Sequence, residues 1–217
     1  MFDLILRNGT VVDGTGAAPF TADVGVKDGV ITHVGASLDA QLANTREVID
    51  ASGHTITPGF VDVHTHYDGQ ATWDSALTRI WSAHHVLATA KPSEPNHVAH
   101  SARCLGHRQF LRCTHVGSSR RTADVVTAVK RQTSETAALV GLNDRGVIAV
   151  GKRADLNVID LASLRLHRPR PVDDLPAGGR RILQGATGYA ATIVDGTITR
   201  RNGADTGARP GRLLRRS

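Results

Sequence analysis

Aromatic residues are scarce in this chain of 217 residues, at 4% of the total. Any core must therefore rest on Val, Ile, Leu and Ala. No run of about 18 apolar residues occurs, so no membrane-spanning helix is expected. The start, Met1-Phe2-Asp3-Leu4-Ile5-Leu6-Arg7, lacks a basic segment followed by an apolar stretch and a cleavage site. Export is not expected on that ground, and a cytoplasmic location is. Only two cysteines are present, Cys104 and Cys113, too few for a disulfide framework. Acidic residues are outnumbered, 20 against 26 Lys and Arg, which leaves a formal charge of +6.

That excess is unevenly placed. Residues 79–121 carry seven Lys or Arg against one acid, Glu94, and the tail from Arg209 to Arg216 holds much of the rest. Nucleic-acid surfaces normally use basic residues on a folded face or recognition helix. Here the charge falls on the segment with the weakest folding signals, so no nucleic-acid partner is expected. The tail reads as a solvated terminus. Asp13-Gly14-Thr15-Gly16 is no nucleotide loop either, because no helix follows to present its N-terminus to phosphate.

Three parts differ in patterning. Residues 1–57 read as β-hairpins: Leu4-Ile5-Leu6 and Val11-Val12 flank Asn8-Gly9, and Val24-Gly25-Val26 and Val30-Ile31 flank Asp28-Gly29. Asn-Gly and Asp-Gly supply the positive φ that tight hairpins need. Glu47-Val48-Ile49-Asp50 reads as a short strand ending in the turn Ala51-Ser52-Gly53. From about 147 the grammar returns. Residues 154–160 alternate as a strand, and Ala191-Thr192-Ile193-Val194 meets Thr197-Ile198-Thr199 across Asp195-Gly196. Strands at both ends can pair in one sheet assembly. Before them, Thr122 to Val140 has helical spacing, with Thr122 as N-cap and Gly141 as stop.

The middle, 79–121, keeps no period of two or 3.6 and is expected to be irregular or disordered. It holds six of the eleven histidines, both cysteines and almost no acid. Such text is what a GC-rich gene gives when read out of frame, and we take that as its leading explanation.

One stretch carries chemistry: Thr57-Pro58-Gly59-Phe60-Val61-Asp62-Val63-His64-Thr65-His66-Tyr67-Asp68. Residues 60–66 read as a strand, on which side chains at i and i+2 share a face. His64 and His66 then project together, with Asp62 on the same side. Two imidazoles so placed can grip one divalent ion, which activates water toward an amide carbonyl.

The run Pro58-Gly59-Phe60-x-Asp62-x-His64-x-His66 resembles the first barrel strand of the amidohydrolase superfamily. Its continuation, His66-Tyr67-Asp68-Gly69-Gln70 with Trp73-Asp74, resembles the N-acyl-D-amino-acid deacylase (D-aminoacylase) branch. The likeness covers about 1–78 and 122–217. It includes Phe2 to Gly9, Val12 to Gly16, Thr133 to Leu139, Asp144-Arg145-Gly146 and Gly151 to Val158. Asp174 to Arg181 and Gly188-Tyr189 continue it. It implies a β-rich mixed α/β fold: a small β-sandwich from 1–57 and 147–217, and a (β/α)8 barrel of which 58–146 is a truncated remnant. It also implies His64 and His66 as ligands of zinc or another divalent metal, and an N-acyl amino acid as small-molecule substrate.

The barrel is largely missing. A (β/α)8 barrel takes about 250 residues, whereas 55 separate His66 from Thr122. The ligands the resemblance implies beyond the first strand, a cysteine in Gly-Asn-Cys-Gly and two histidines, have no match, and neither does the late-strand aspartate. Cys104 and Cys113 stand in other contexts. The chain is thus expected to be catalytically impaired, with a barrel strand open at both edges and a helix without its partner. Such exposed edges invite self-association. The alternative is a non-catalytic zinc-binding or scaffold remnant using segment 84–115. There, His97, His100, Cys104 and His107 have ligand-like spacing.

Overall fold

The computed structural model describes residues 1–62, 85–87, 124–212 and 214. It is rich in β-structure with few helices. One nine-stranded sheet gathers both ends of the chain. Its N-terminal strands are β1 (Leu4–Val11), β2 (Phe20–Lys27), β3 (Val30–Gly35), β4 (Glu47–Asp50) and β5 (Thr55–Pro58). The C-terminal ones are β8 (Leu156–Ile159), β13 (Tyr189–Val194), β14 (Thr197–Arg201) and β15 (Ala204–Asp205). The order is β15-β14-β13-β8-β5-β1-β2-β3, with β4 also beside β1. β5 pairs antiparallel with β8, Thr57 facing Asn157. That seam joins the two ends.

The main core lies on one side of this sheet, with Leu4, Leu6, Val24, Ile56, Leu156 and Ile193 all but fully buried. A second cluster holds Val12, Phe60, Val129, Ile159 and Tyr189. Aliphatic β-branched residues dominate, as the scarcity of aromatics requires. Three two-stranded pairs complete the β-structure. They are β6 (Phe60–Asp62) with β7 (His85–Leu87), β9 (Arg165–Leu166) with β12 (Ala186–Thr187), and β10 (Arg170–Val172) with β11 (Arg181–Leu183).

The turns at Asp28-Gly29 and Asp195-Gly196 form as predicted, with φ of 52° and 74° in the first and 50° and 73° in the second. Asn8-Gly9 differs. β1 continues through it with Asn8 at φ 56°, and the register with β2 shifts between Leu6 and Gly9. The reason is tertiary: the Asn8 N–H donates to the buried carboxylate of Asp23 at 2.8 Å. A Cβ on Gly9 would lie 2.4 Å from Ile56 Cδ1, so any larger residue there would force the buried Ile56 side chain to shift.

The helical region is two helices, α1 (Val125–Gln132) and α2 (Ser134–Leu139), broken at Thr133, whose ψ is −84°. Asp124, not Thr122, caps α1: its carboxylate accepts from the Thr127 N–H at 2.8 Å. Thr122 lies outside the described residues. Gly141 ends α2 as predicted, at φ 74°, with the Leu142 N–H returning to the Ala137 carbonyl at 2.9 Å.

Two expectations are corrected. The strand beginning at Phe60 is not open on both edges, because β7 pairs with it in parallel, Val61 facing Val86. The apolar face of α1 is not bare, since Val129 and Ala128 pack with Phe60 and Ile159. Within 79–121 only residues 85–87 are described, as β7; the rest of the segment expected to be irregular lies outside the described residues. No helix among the described residues is long and apolar enough to cross a membrane.

Candidate functional site

The metal-ligand candidates His64 and His66 lie outside the described residues, as do Cys104, Cys113 and the His97–His107 constellation. What the structure describes is β6, whose last residue, Asp62, precedes His64 by two positions in the sequence. Phe60 and Val61 are buried and Asp62 is half-buried at the end of β6. α1 and α2 both pack against this strand. Among the described residues, no group of three or more His, Cys, Asp or Glu could hold a metal ion. His64 and His66 follow Asp62 by two and four residues in the sequence.

β8 holds the entry to β6 from the other side. The Gly59 N–H donates to the Asp155 carbonyl at 2.7 Å. The Pro58 carbonyl accepts from Thr57 Oγ1 at 3.0 Å and from Asn157 Nδ2 at 3.4 Å. Thr57 and Asn157 are both wholly buried. Sequence reading missed Asn157, because a polar residue in an alternating strand reads as solvent-facing. The antiparallel neighbours β5 and β13, far away in sequence, left no signal within residues 154–160.

Behind this peptide stands a buried ion-pair network. Arg145 Nη1 donates to Asp155 Oδ2 at 2.6 Å while its other nitrogens reach Asp144 at 2.9 and 3.0 Å. Asp155 Oδ1 accepts the Asp195 N–H at 2.8 Å, and Arg153 pairs with Asp195. Burial pushes the Asp155 carboxyl above the usual range, against the pull of the Asp195 N–H and Arg145. For Asp144, burial again pulls upward. There the Arg145 hydrogen bonds and charge win, and the carboxyl sits below that range. Burial also raises the phenol of Tyr189 beside Phe60. These groups hold architecture, tying the segment before β8 to the Asp195-Gly196 turn. An open cleft of about 560 Å³ is lined by Asn143, Asp144, Arg145, Lys152 and Leu214, among others.

The residue pattern of the family described as "Amidohydrolase family" matches residues 90–200, just over half of the chain. The chain belongs to the amidohydrolase family. The match includes 90–121, so the family's pattern extends into the stretch where hydrophobic periodicity fails. An uncharacterized protein of Mycobacterium tuberculosis is 44% identical over 89 residues, 41% of this chain and 14% of that protein. An allantoinase of Rubrobacter xylanophilus is 47% identical over 75 residues, 34% of this chain and 15% of the allantoinase. The chain thus matches a small fraction of each relative's length. Among solved structures, a D-aminoacylase shares the fold with a TM-score of 0.67 at 15% identity, the alignment covering 100% of both chains. Another, described for its binuclear metal centre, gives 0.64 at 15% identity and the same coverage.

Proposed function

We propose that this chain is a member of the N-acyl-D-amino-acid deacylase branch that binds a divalent metal, zinc in the first instance, without completing the hydrolytic site. The observation that carries this is the run Pro58 to Asp68, whose β6 portion is buried, paired in parallel with β7 and packed against both helices. In this reading His64 and His66 hold the ion from the continuation of β6. β6, β7 and the two helices are the truncated barrel remnant within 58–146. The strands of 1–57 and 147–217 form the composite sandwich domain.

The metal, when bound, supplies Lewis acidity that lowers the pKa of water and polarises an amide carbonyl. The chain's own part is to present two neutral imidazoles on one strand face, with Asp62 two residues before them. No aspartate in the sequence stands where the family's late-strand base would. Proton transfer from water to the leaving amine therefore lacks its carrier. The metal strand is kept and turnover is lost. An N-acyl amino acid remains the substrate class that the branch implies.

The test is zinc titration against a chromophoric chelator, alongside N-acetyl-D-amino-acid hydrolysis by the zinc-loaded chain. We expect one bound equivalent, its loss in His64→Ala and His66→Ala, and no hydrolysis above the zinc-free control. Hydrolysis abolished by His64→Ala would overturn the claim of lost turnover. Stoichiometric zinc that survives both substitutions but disappears in His100→Ala would move the site to the His97–His107 segment.

A further inference from the structure

Thr57, Asn157 and Thr192 lie side by side on β5, β8 and β13, since Asn157 faces Thr57 on one side and Thr192 on the other. All three are buried to 2% exposure or less. A polar row across the middle of a covered sheet is unusual, because buried polar groups are retained only where they are satisfied or used. Asn157 is not fully satisfied: its Oδ1 is buried without a hydrogen-bond partner among the described residues. An aliphatic residue of the same shape would remove that orphan acceptor. Leu156 and Val158, its neighbours on the same strand, are aliphatic and fully buried.

What Asn157 does make is the Nδ2 bond to the Pro58 carbonyl, at 3.4 Å. The same carbonyl receives Thr57 Oγ1 at 3.0 Å, and the N–H of that peptide, on Gly59, goes to the Asp155 carbonyl at 2.7 Å. Both polar ends of the Pro58–Gly59 peptide are therefore held, by Thr57 of β5, by Asn157 of β8 and by Asp155 just before β8. This peptide is where the chain leaves the sheet and enters β6. Its plane sets the direction in which β6 (Phe60–Asp62) leaves the sheet. Asp155, the other half of the grip, is itself fixed by Arg145 and the Asp195 N–H.

We infer that Asn157 is a positioning residue that aims β6, and with it the metal-binding imidazoles, through the Pro58 carbonyl. The metal consequence rests on the reading of His64 and His66 given above; the aiming of β6 does not. Outer-shell partners that orient ligands typically change metal affinity ten- to a hundredfold when removed. Here the partner acts one strand removed, so the lower end of that range applies.

The test is Asn157→Leu, which keeps the branched shape and removes both polar ends, read by thermal melting, amide hydrogen exchange and zinc titration. We expect an unchanged or higher Tm, because the orphan acceptor is gone. The Phe60–Asp62 amides should exchange at least tenfold faster while those of β8 and β13 do not. Zinc affinity should fall roughly tenfold. Thr57→Val, nearly identical in shape, should act in the same direction and add little in the Asn157→Leu background. It also carries the test should Asn157→Leu fail to fold. Unchanged β6 exchange in a folded variant would overturn the inference, as would a loss of protection spread over the whole sheet. Faster β6 exchange in a wild-type background that binds no zinc would uphold the aiming and refute the metal reading, so the two failures remain distinct.

Discussion

Asp155 shows how one residue ties the sequence's most family-like stretch to the energetics of the fold. Its carboxylate is nearly inaccessible, and Arg145 is the cation that balances it at 2.6 Å. Removing one partner of a buried pair leaves the other charged and unsolvated, a loss of about 3–5 kcal/mol. Arg145→Met should therefore lower the unfolding free energy by about that amount near neutral pH. The sign of its pH dependence follows from the same burial. Without Arg145, the folded pKa of Asp155 moves further above the unfolded value, so the folded state holds a proton that the unfolded state has released. Stability is then regained as pH falls through the folded pKa. Urea unfolding at about pH 7 and about pH 5 should show a smaller penalty at the lower pH. An equal penalty at both would mean that Asp155 is not the group left stranded. Asp144 behaves in the opposite sense. Its carboxyl is held low, so its stabilisation is present above the ordinary value of 3.8 and is lost as pH falls below it.

Turns give the element-scale lesson. Asn8-Gly9 and Asp28-Gly29 carry the same local signal, yet only the second is a hairpin turn. What separates them is not in the dipeptide. The Asn8 N–H is claimed by Asp23, fifteen residues on, and Gly9 admits Ile56 from a strand still further away. The helix had a similar fate: its periodicity and its Gly141 stop were legible, whereas the break at Thr133 was not. Thr133 returns its hydroxyl to the Val129 carbonyl at 2.8 Å, while Ser134 reaches across to the Gly14 carbonyl at 2.6 Å. The Asp28-Gly29 turn also has a tertiary duty. A Cβ on Gly29 would lie 2.2 Å from Asp195 Oδ1, whereas one on Gly53, at the same φ of 74°, meets nothing within 4 Å. Gly53→Ala should thus lose only the backbone preference, about 1 kcal/mol. Gly29→Ala should lose clearly more, on the order of 2–3 kcal/mol with the steric shift added. Denaturant midpoints of the two variants, compared at equal slope, check the ranking; equal midpoints would remove the turn-to-turn contact from the account.

At the scale of the whole molecule, the chain's two ends are bound by more than the segment that links them in sequence. The β5–β8 seam pairs four residues from each side. The segment before β8 threads between the two Asp-Gly turns, its Ala154 N–H on the Gly29 carbonyl at 2.8 Å and its carbonyl on the Gly196 N–H at 3.0 Å. Arg201 reaches Glu47 at 2.6 Å. Leu4, Ile56, Leu156 and Ile193 share one core drawn from both ends. Burial of this kind, at about 25 cal/mol per Å² of apolar surface, dominates any entropic contribution of the linking segment, because the loop term grows only as the logarithm of its length. Cutting the chain at a protease site engineered near residue 105 should therefore leave the fold intact. The two fragments should co-elute in size exclusion under native conditions, retain the β-sheet circular dichroism of the uncut chain, and separate in denaturant. The cut form should also unfold at a lower denaturant concentration when diluted, because association is now bimolecular. Fragments that part in native buffer would mean that the seam does not hold the ends together, and that residues between 62 and 124 supply the missing contacts.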